Sequence, residues 1–197
     1  MALREKILKD YEKGKKAEKL FEKIVISREY ECSEPANDID ISQKWDRKII
    51  KNKKEARVQI KGLKDAHKFG YTWLELKNDS GVEGSGWLYG KAHVLAILLP
   101  DKKTLIPNRF EFYRMDLLRK LVDEKVDKTK PILKGIPKKE NGENDYEYMR
   151  FRQYNGYNRR GDFTVIVSLK DIEHCKVFTM EFSLEEFLKY DKEISSI

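Results

Sequence analysis

Residues 44–63 constrain the fold of this chain more than any other stretch. Two strand-forming runs, 44–50 and 56–63, flank the polar segment KNKKE, which reads as a hairpin turn. Alternation along the second run sets Val58 and Ile60 on one face and Gln59 and Lys61 on the other. Asp46 stands 13 residues ahead of Gln59, so pairing within the hairpin can carry its carboxylate beside the Gln59–Lys61 face. An ordinary amphipathic strand with a solvated polar face accounts for the same alternation.

Charge gathers on this stretch. The 197-residue chain has a net charge of +7. Residues 44–68 hold ten Lys or Arg against Asp46, Glu55 and Asp65, a local surplus equal to the whole. Such a cluster suits a surface that meets a polyanion; a lysine-rich, solvated hairpin is the other reading. Hydrophobic content of 40% and charged content of 38% fit a soluble, folded protein, and the order helix, hairpin, strand, strand, helix, strand, helix read below makes it a single α/β domain over residues 1–197. The isolated Cys32 and Cys175 form no CxxC pair and point to a reducing compartment, taken as the cytoplasm. The charged opening MALREKILKDYEKGKK is no signal peptide. The longest apolar run, Val94 to Leu99, reads as a buried strand and is too short to span a bilayer, so no membrane partner is expected.

Around the hairpin, residues 3–24 repeat apolar side chains at helical spacing, with Gly14 dividing or weakening the helix. Residues 27–40 read as a strand and a loop approach. Strands are expected at Tyr71–Leu76, Lys91–Leu99 and Asp162–Leu169, and a helix over 112–126. The Pro- and Gly-bearing 127–147 reads as a flexible excursion. Ser183-Leu-Glu-Glu186 is a capping box opening a last helix.

Hydrolysis of a phosphodiester needs a hard divalent cation held by oxygens, with a positive group near the attacking water. Asp46, the Gln59 amide oxygen and the Ile60 carbonyl can supply oxygens, and Lys61 the positive group. At this point the run resembles the restriction-endonuclease-like, or PD-(D/E)XK, nuclease superfamily. GKKAEKLFEKI at 14–24 is similar to the first helix of such proteins, where Glu18 would assist metal binding. DIDISQKWD at 38–46 resembles the approach to a catalytic Asp, here Asp46. VQIKGLK at 58–64 resembles the catalytic strand, with Gln59 and Lys61 at the acid and lysine positions. TWLELKNDSGVEGSGWLYGKAHVLAI is similar to phage-encoded members, and RRGDFTVIVSLKDI extends the likeness more weakly.

The resemblance implies a mixed central sheet flanked by helices and Mg²⁺- or Mn²⁺-dependent cleavage of DNA, with RNA as the other substrate and a homodimer allowed. The expected catalytic and metal-holding residues are Asp46, Gln59, Lys61 and Glu18, with Ile60 adding its carbonyl. Lys48, Lys51, Lys53, Lys54, Lys64, Arg159 and Arg160 are the expected nucleic-acid contacts. Two departures, Gln59 for an acid and His93 for the Asp of GKAD, leave a catalytically silent DNA-binding or protein-inhibiting module as the alternative. Glu75 and Lys77 in WLELKN form a second acid-any-Lys strand, with Asp46 or Asp65 upstream; a surface pair is the plainer reading. In the loop GVEGSGWLYGK, Trp87 and Tyr89 alternate on one face and can stack on bases or fill a core.

Overall fold

The computed structural model describes residues 2–36, 43–63, 67, 70–77, 84–127, 129–130, 148, 150–154 and 161–195. Of the two readings of Gly14, a divided pair or a single weakened helix, the structure has the single helix, α1 (Ala2–Ser27). A Cβ at Gly14 would meet nothing within 4 Å, so the glycine costs the helix some stability, about 1 kcal/mol, without breaking it. Glu29 then takes a left-handed φ of 64°, and Tyr30 N–H closes back on the Val25 carbonyl at 3.0 Å to end the helix.

Strands β1 (Glu31–Ser33), β2 (Arg47–Lys51) and β3 (Lys54–Lys61) form an antiparallel meander. The hairpin turn is tighter than KNKKE: only Asn52 and Lys53 lie between the strands, both at positive φ (53° and 62°), the geometry that a right-twisted two-residue hairpin requires. Strand β4 (Tyr71–Lys77) leaves for another sheet, and the chain returns in β5 (Val94–Pro100), parallel to β3. Strand β6 (Pro107–Arg114) and helix α2 (Met115–Lys125) follow. Then come β7 (Arg150–Tyr154), β8 (Gly161–Ser168), β9 (Lys176–Glu181) and α3 (Leu184–Ser195). The central sheet runs β1-β2-β3-β5-β6-β9 and is mixed; a second sheet runs β4-β8-β7.

Two apolar layers hold the sheets and helices together. Ala17, Leu20, Phe21, Ile24 and Val25 recur at helical spacing on α1 and pack on Val58, Ile60, Ala96, Leu98, Phe110 and Phe112. On the opposite face Leu95, Ile97 and Leu99 meet Leu74 and Val165 of the second sheet and Leu118 and Val122 of α2. The mixed α/β architecture is the expected one. The second sheet, β6 and β9 are not: FEF in β6 alternates but follows a proline, and β9 exposes most of its residues, so no apolar period marks it. The capping box forms as read, with Ser183 N–H donating to Glu186 Oε2 at 2.9 Å and Glu186 N–H to Ser183 Oγ at 3.1 Å. Of 127–147, only Asp127, Thr129 and Lys130 fall within the described residues.

Candidate active site

The site forms where β2 leaves β3. Their ladder runs from Lys51↔Lys54 to Arg47↔Val58 and stops. Just before it, Trp45 turns into the core between the sheets, drawing the chain away from β3. Asp46 N–H still reaches the Val58 carbonyl at 2.8 Å. Beyond that point the Asp46 side chain takes over the role of a strand: its Oδ2 accepts the Ile60 N–H at 2.6 Å. The Gln59 amide Nε2 donates to the same oxygen, also at 2.6 Å. In an extended strand the N–H and C=O of one residue point to the same edge, so the Ile60 carbonyl lies on this side as well.

Lys61 completes the cluster. Its Nζ stands 4.4 Å from the centroid of the Trp87 ring, and its charge favours ionised Asp46 and, more weakly, Glu18. Trp87 and Tyr89 lack the extended alternation that the sequence suggested for this loop. The two belong to a 3-10 turn, Trp87–Tyr89, where Trp87 is buried and the Tyr89 hydroxyl donates to Asp123 at 2.8 Å. Gly86 lets this turn sit on β4: a Cβ there would come 2.2 Å from the Glu75 carbonyl oxygen. Arg119 of α2 fixes the far side through the Leu88, Gly90 and Ala92 carbonyls.

Glu18 approaches from α1 through a residue that the sequence pattern hid. Arg47 looks like one more hairpin cation, yet it shares the inward face of Ile49 and its side chain is only 5% exposed. Its guanidinium meets Glu18 at 3.2 Å, Glu34 at 2.9 Å and Glu22 at 3.6 Å, and donates to the Asp46 carbonyl at 2.7 Å. The helix carboxylates and the Asp46 backbone are therefore tied to one buried cation. Period-two alternation from Ile49 is the signal that could have found it.

The electrostatics are those of a site short of positive charge. Burial pushes the Asp46 carboxyl above the ordinary carboxylate range, against the pull of Lys61, the Ile60 N–H, Arg47 and the Gln59 amide. Burial also raises Glu18, and the nearby Asp46 charge raises it further, with Arg47 and Lys61 opposing. Among the described residues no group of three His, Cys, Asp or Glu side chains is arranged to hold a metal. Oxygen donors here come instead from two carboxylates, a backbone carbonyl and an amide.

The other expected residues are more scattered. At about 3.4 Å per residue, Lys54 and Lys61 at the two ends of β3 lie roughly 24 Å apart. Lys53 and Lys54 are exposed at the hairpin tip, and Lys48 is half-buried. Lys51 is drawn inward, donating to the Arg28 carbonyl at 2.7 Å and lying 4.9 Å from the Tyr30 ring centroid. Lys64, Arg159, Arg160 and the alternative acid Asp65 lie outside the described residues. Glu75 and Lys77 belong to β4 of the second sheet, on the face away from buried Leu74 and Leu76. His93 stands just before β5, where its Nδ1 accepts the Arg57 backbone N–H at 3.2 Å. Burial and the Arg57 charge lower its pKa, so the ring is neutral at neutral pH and only one of its nitrogens can accept.

No helix among the described residues is long and apolar enough to cross a membrane. Comparison with protein-family models, with curated proteins and with solved structures finds no match to this chain.

Proposed function

We propose that this protein acts on nucleic acid, hydrolysing phosphodiesters of DNA with the help of Mg²⁺ or Mn²⁺. The observation that carries this reading is the convergence of the Gln59 amide and the Ile60 N–H on one carboxylate oxygen of Asp46, within the electrostatic reach of Lys61 and Glu18. The donor set fits a hard cation: Asp46 and Glu18 offer carboxylates whose raised pKa a divalent ion would lower, and Ile60 offers a carbonyl. Gln59 fits if its amide turns over, since the oxygen and nitrogen of an amide occupy nearly the same space. A bound cation would supply Lewis acidity and an activated water. Lys61, held against Trp87, places a positive charge where negative charge grows on the phosphate and orients the water by hydrogen bonding. Arg47 keeps Glu18 and the Asp46 backbone in register while staying out of solvent. The exposed Lys53 and Lys54 extend the nucleic-acid contact along the hairpin, toward a duplex or a single strand of DNA, with RNA as the other substrate.

Cleavage of labelled single-stranded, duplex and branched DNA in Mg²⁺ and in Mn²⁺ tests the reading. Slow, Mn²⁺-favouring cleavage is expected, because one ligand is neutral and Mn²⁺ tolerates less regular ligation. Asp46→Ala and Lys61→Ala should each abolish it. A second reading is favoured by one specific contact: the Gln59 Nε2 bond to Asp46 puts a neutral donor where a cation would sit. A protein retired from catalysis would keep that bond, bind DNA with steep salt sensitivity, and cleave nothing. The two free cysteines suit either reading in a reducing cytoplasm.

A further inference from the structure

A cavity of about 680 Å³ opens between the two sheets at the end of β5, and no residue of the Asp46 cluster lines it. That volume falls within the range of small-molecule sites, roughly 300–1,000 Å³. Leu99 and Pro100, both buried, and the half-buried Tyr71 and Leu169 give it an apolar side.

The turn between β5 and β6 adds an apolar lip. Leu105 lines the cavity, is 49% exposed, and takes a left-handed φ of 59°. Turns ordinarily give such a position to Gly or Asn, because a longer side chain gains nothing there from exposure or from the backbone. Asp101 fixes this turn: its Oδ1 accepts the Lys103 and Thr104 N–H groups at 3.0 and 2.8 Å, and its carbonyl accepts the Leu105 N–H at 2.9 Å. Strain over-determined by its surroundings in this way gathers at ligand clamps.

Arg109 adds the polar group. Its Nε donates to Glu111 at 2.9 Å, and its Nη1 to the Pro100 carbonyl at 2.9 Å and to Asn108 Oδ1 at 3.1 Å. Glu111 is held in turn by the Tyr113 hydroxyl at 2.5 Å. The guanidinium is locked in place, yet the N–H groups of its Nη2 have no acceptor among the described residues. Arg109 balances Glu111 and Lys176 balances Glu173, so among the described residues the exposed Lys102 and Lys170 leave the rim positive.

We propose that this cavity binds a small organic anion, its charged end at Arg109 Nη2 and its apolar body between Leu99 and Leu105. The site shares no residue with the Asp46 cluster and stands apart from the nucleic-acid reading.

Octanoate, octanamide and acetate, titrated into the full chain by calorimetry and followed by amide shifts in a ¹H–¹⁵N spectrum, test it. Octanoate should bind about tenfold more tightly than octanamide, which keeps the body without the charge, and than acetate, which keeps the charge without the body. The shifts should fall on Gly70, Leu105, Arg109 and Leu169. Leu105→Asn is the decisive variant, because Asn tolerates a left-handed φ. It should melt no lower than the parent and bind octanoate about fivefold more weakly. Lys102→Ala with Lys170→Ala, both exposed, should weaken binding about threefold and flatten its salt dependence. No octanoate binding, equal binding of octanamide or acetate, shifts outside the cavity lining, or full affinity in Leu105→Asn would each overturn the proposal.

Discussion

At the scale of single residues, the candidate site is destabilising by design. Asp46 and Glu18 both have carboxyls raised above their ordinary range, chiefly by burial. The native state therefore holds protons that the unfolded chain releases, and ionising these groups at neutral pH costs folding free energy. That cost is present above the raised pKa values, shrinks as pH falls through them, and is gone below the ordinary carboxylate range. Asp46→Asn, which keeps an acceptor for Ile60 N–H, should raise thermal stability at pH 7 by the amount common when a functional group is neutralised, about 0.5–2 kcal/mol. Melting curves from pH 7 down to pH 3.5 check it: the gain should fade toward the acid end. A variant less stable than the parent at pH 7 would mean that Lys61 and Arg47 outweigh burial.

Residue chemistry was only partly legible in the sequence. Alternation along RVQIK placed Gln59 and Lys61 together, and the hairpin delivered Asp46 to them. Alternation from Ile49 marks the inward face of Arg47, but its partners were not legible, because they depend on α1 bringing Glu18 and Glu22 across the sheet. The basic surplus was legible as a count but not as a surface. Folding spends Arg47, Lys51 and Arg57 on internal partners and leaves Lys53 and Lys54 at the tip.

Among the elements, the hairpin and the 3-10 turn have separable jobs. Lys53→Ala with Lys54→Ala removes charge from the tip without touching the site. For duplex DNA the slope of log affinity against log salt should flatten by about 1.8, with sequence preference unchanged. Filter binding from 50 to 300 mM salt reads this directly, and an unchanged slope would take the tip out of the interface. Gly86→Ala acts on packing instead. Its new Cβ would press on the β4 backbone and displace Trp87, under which Lys61 is held. Overpacking of this kind costs about 1–3 kcal/mol, which denaturant unfolding would show. Elements with a strong local signal were readable: α1, the β2–β3 hairpin, the apolar β5, and α3 with its capping box. Strands β7 and β9 were not, because β9 sits at an edge with Val177 and Phe178 exposed and β7 closes a sheet that only tertiary pairing creates.

At the scale of the whole molecule, the parallel pairing of β3 with β5 organises everything described. It puts the end of β3 at a point where β2 has already departed, so a side chain rather than a strand completes the edge. The proposed function makes the Asp46 edge a cation-dependent site weakened by a neutral ligand. Gln59→Glu tests that claim most directly, because a further carboxylate strengthens attraction for a divalent ion in a partly desolvated place. The measurement is the Mn²⁺-dependent cleavage rate of one labelled DNA, parent against variant, with Mn²⁺ affinity from calorimetry on the same samples. The variant should bind Mn²⁺ more tightly and cleave faster by about tenfold or more, the change that 1.4 kcal/mol of transition-state stabilisation gives. Undetectable Mn²⁺ binding and undetectable cleavage in both proteins would contradict the proposed function and leave the silent binding module in its place.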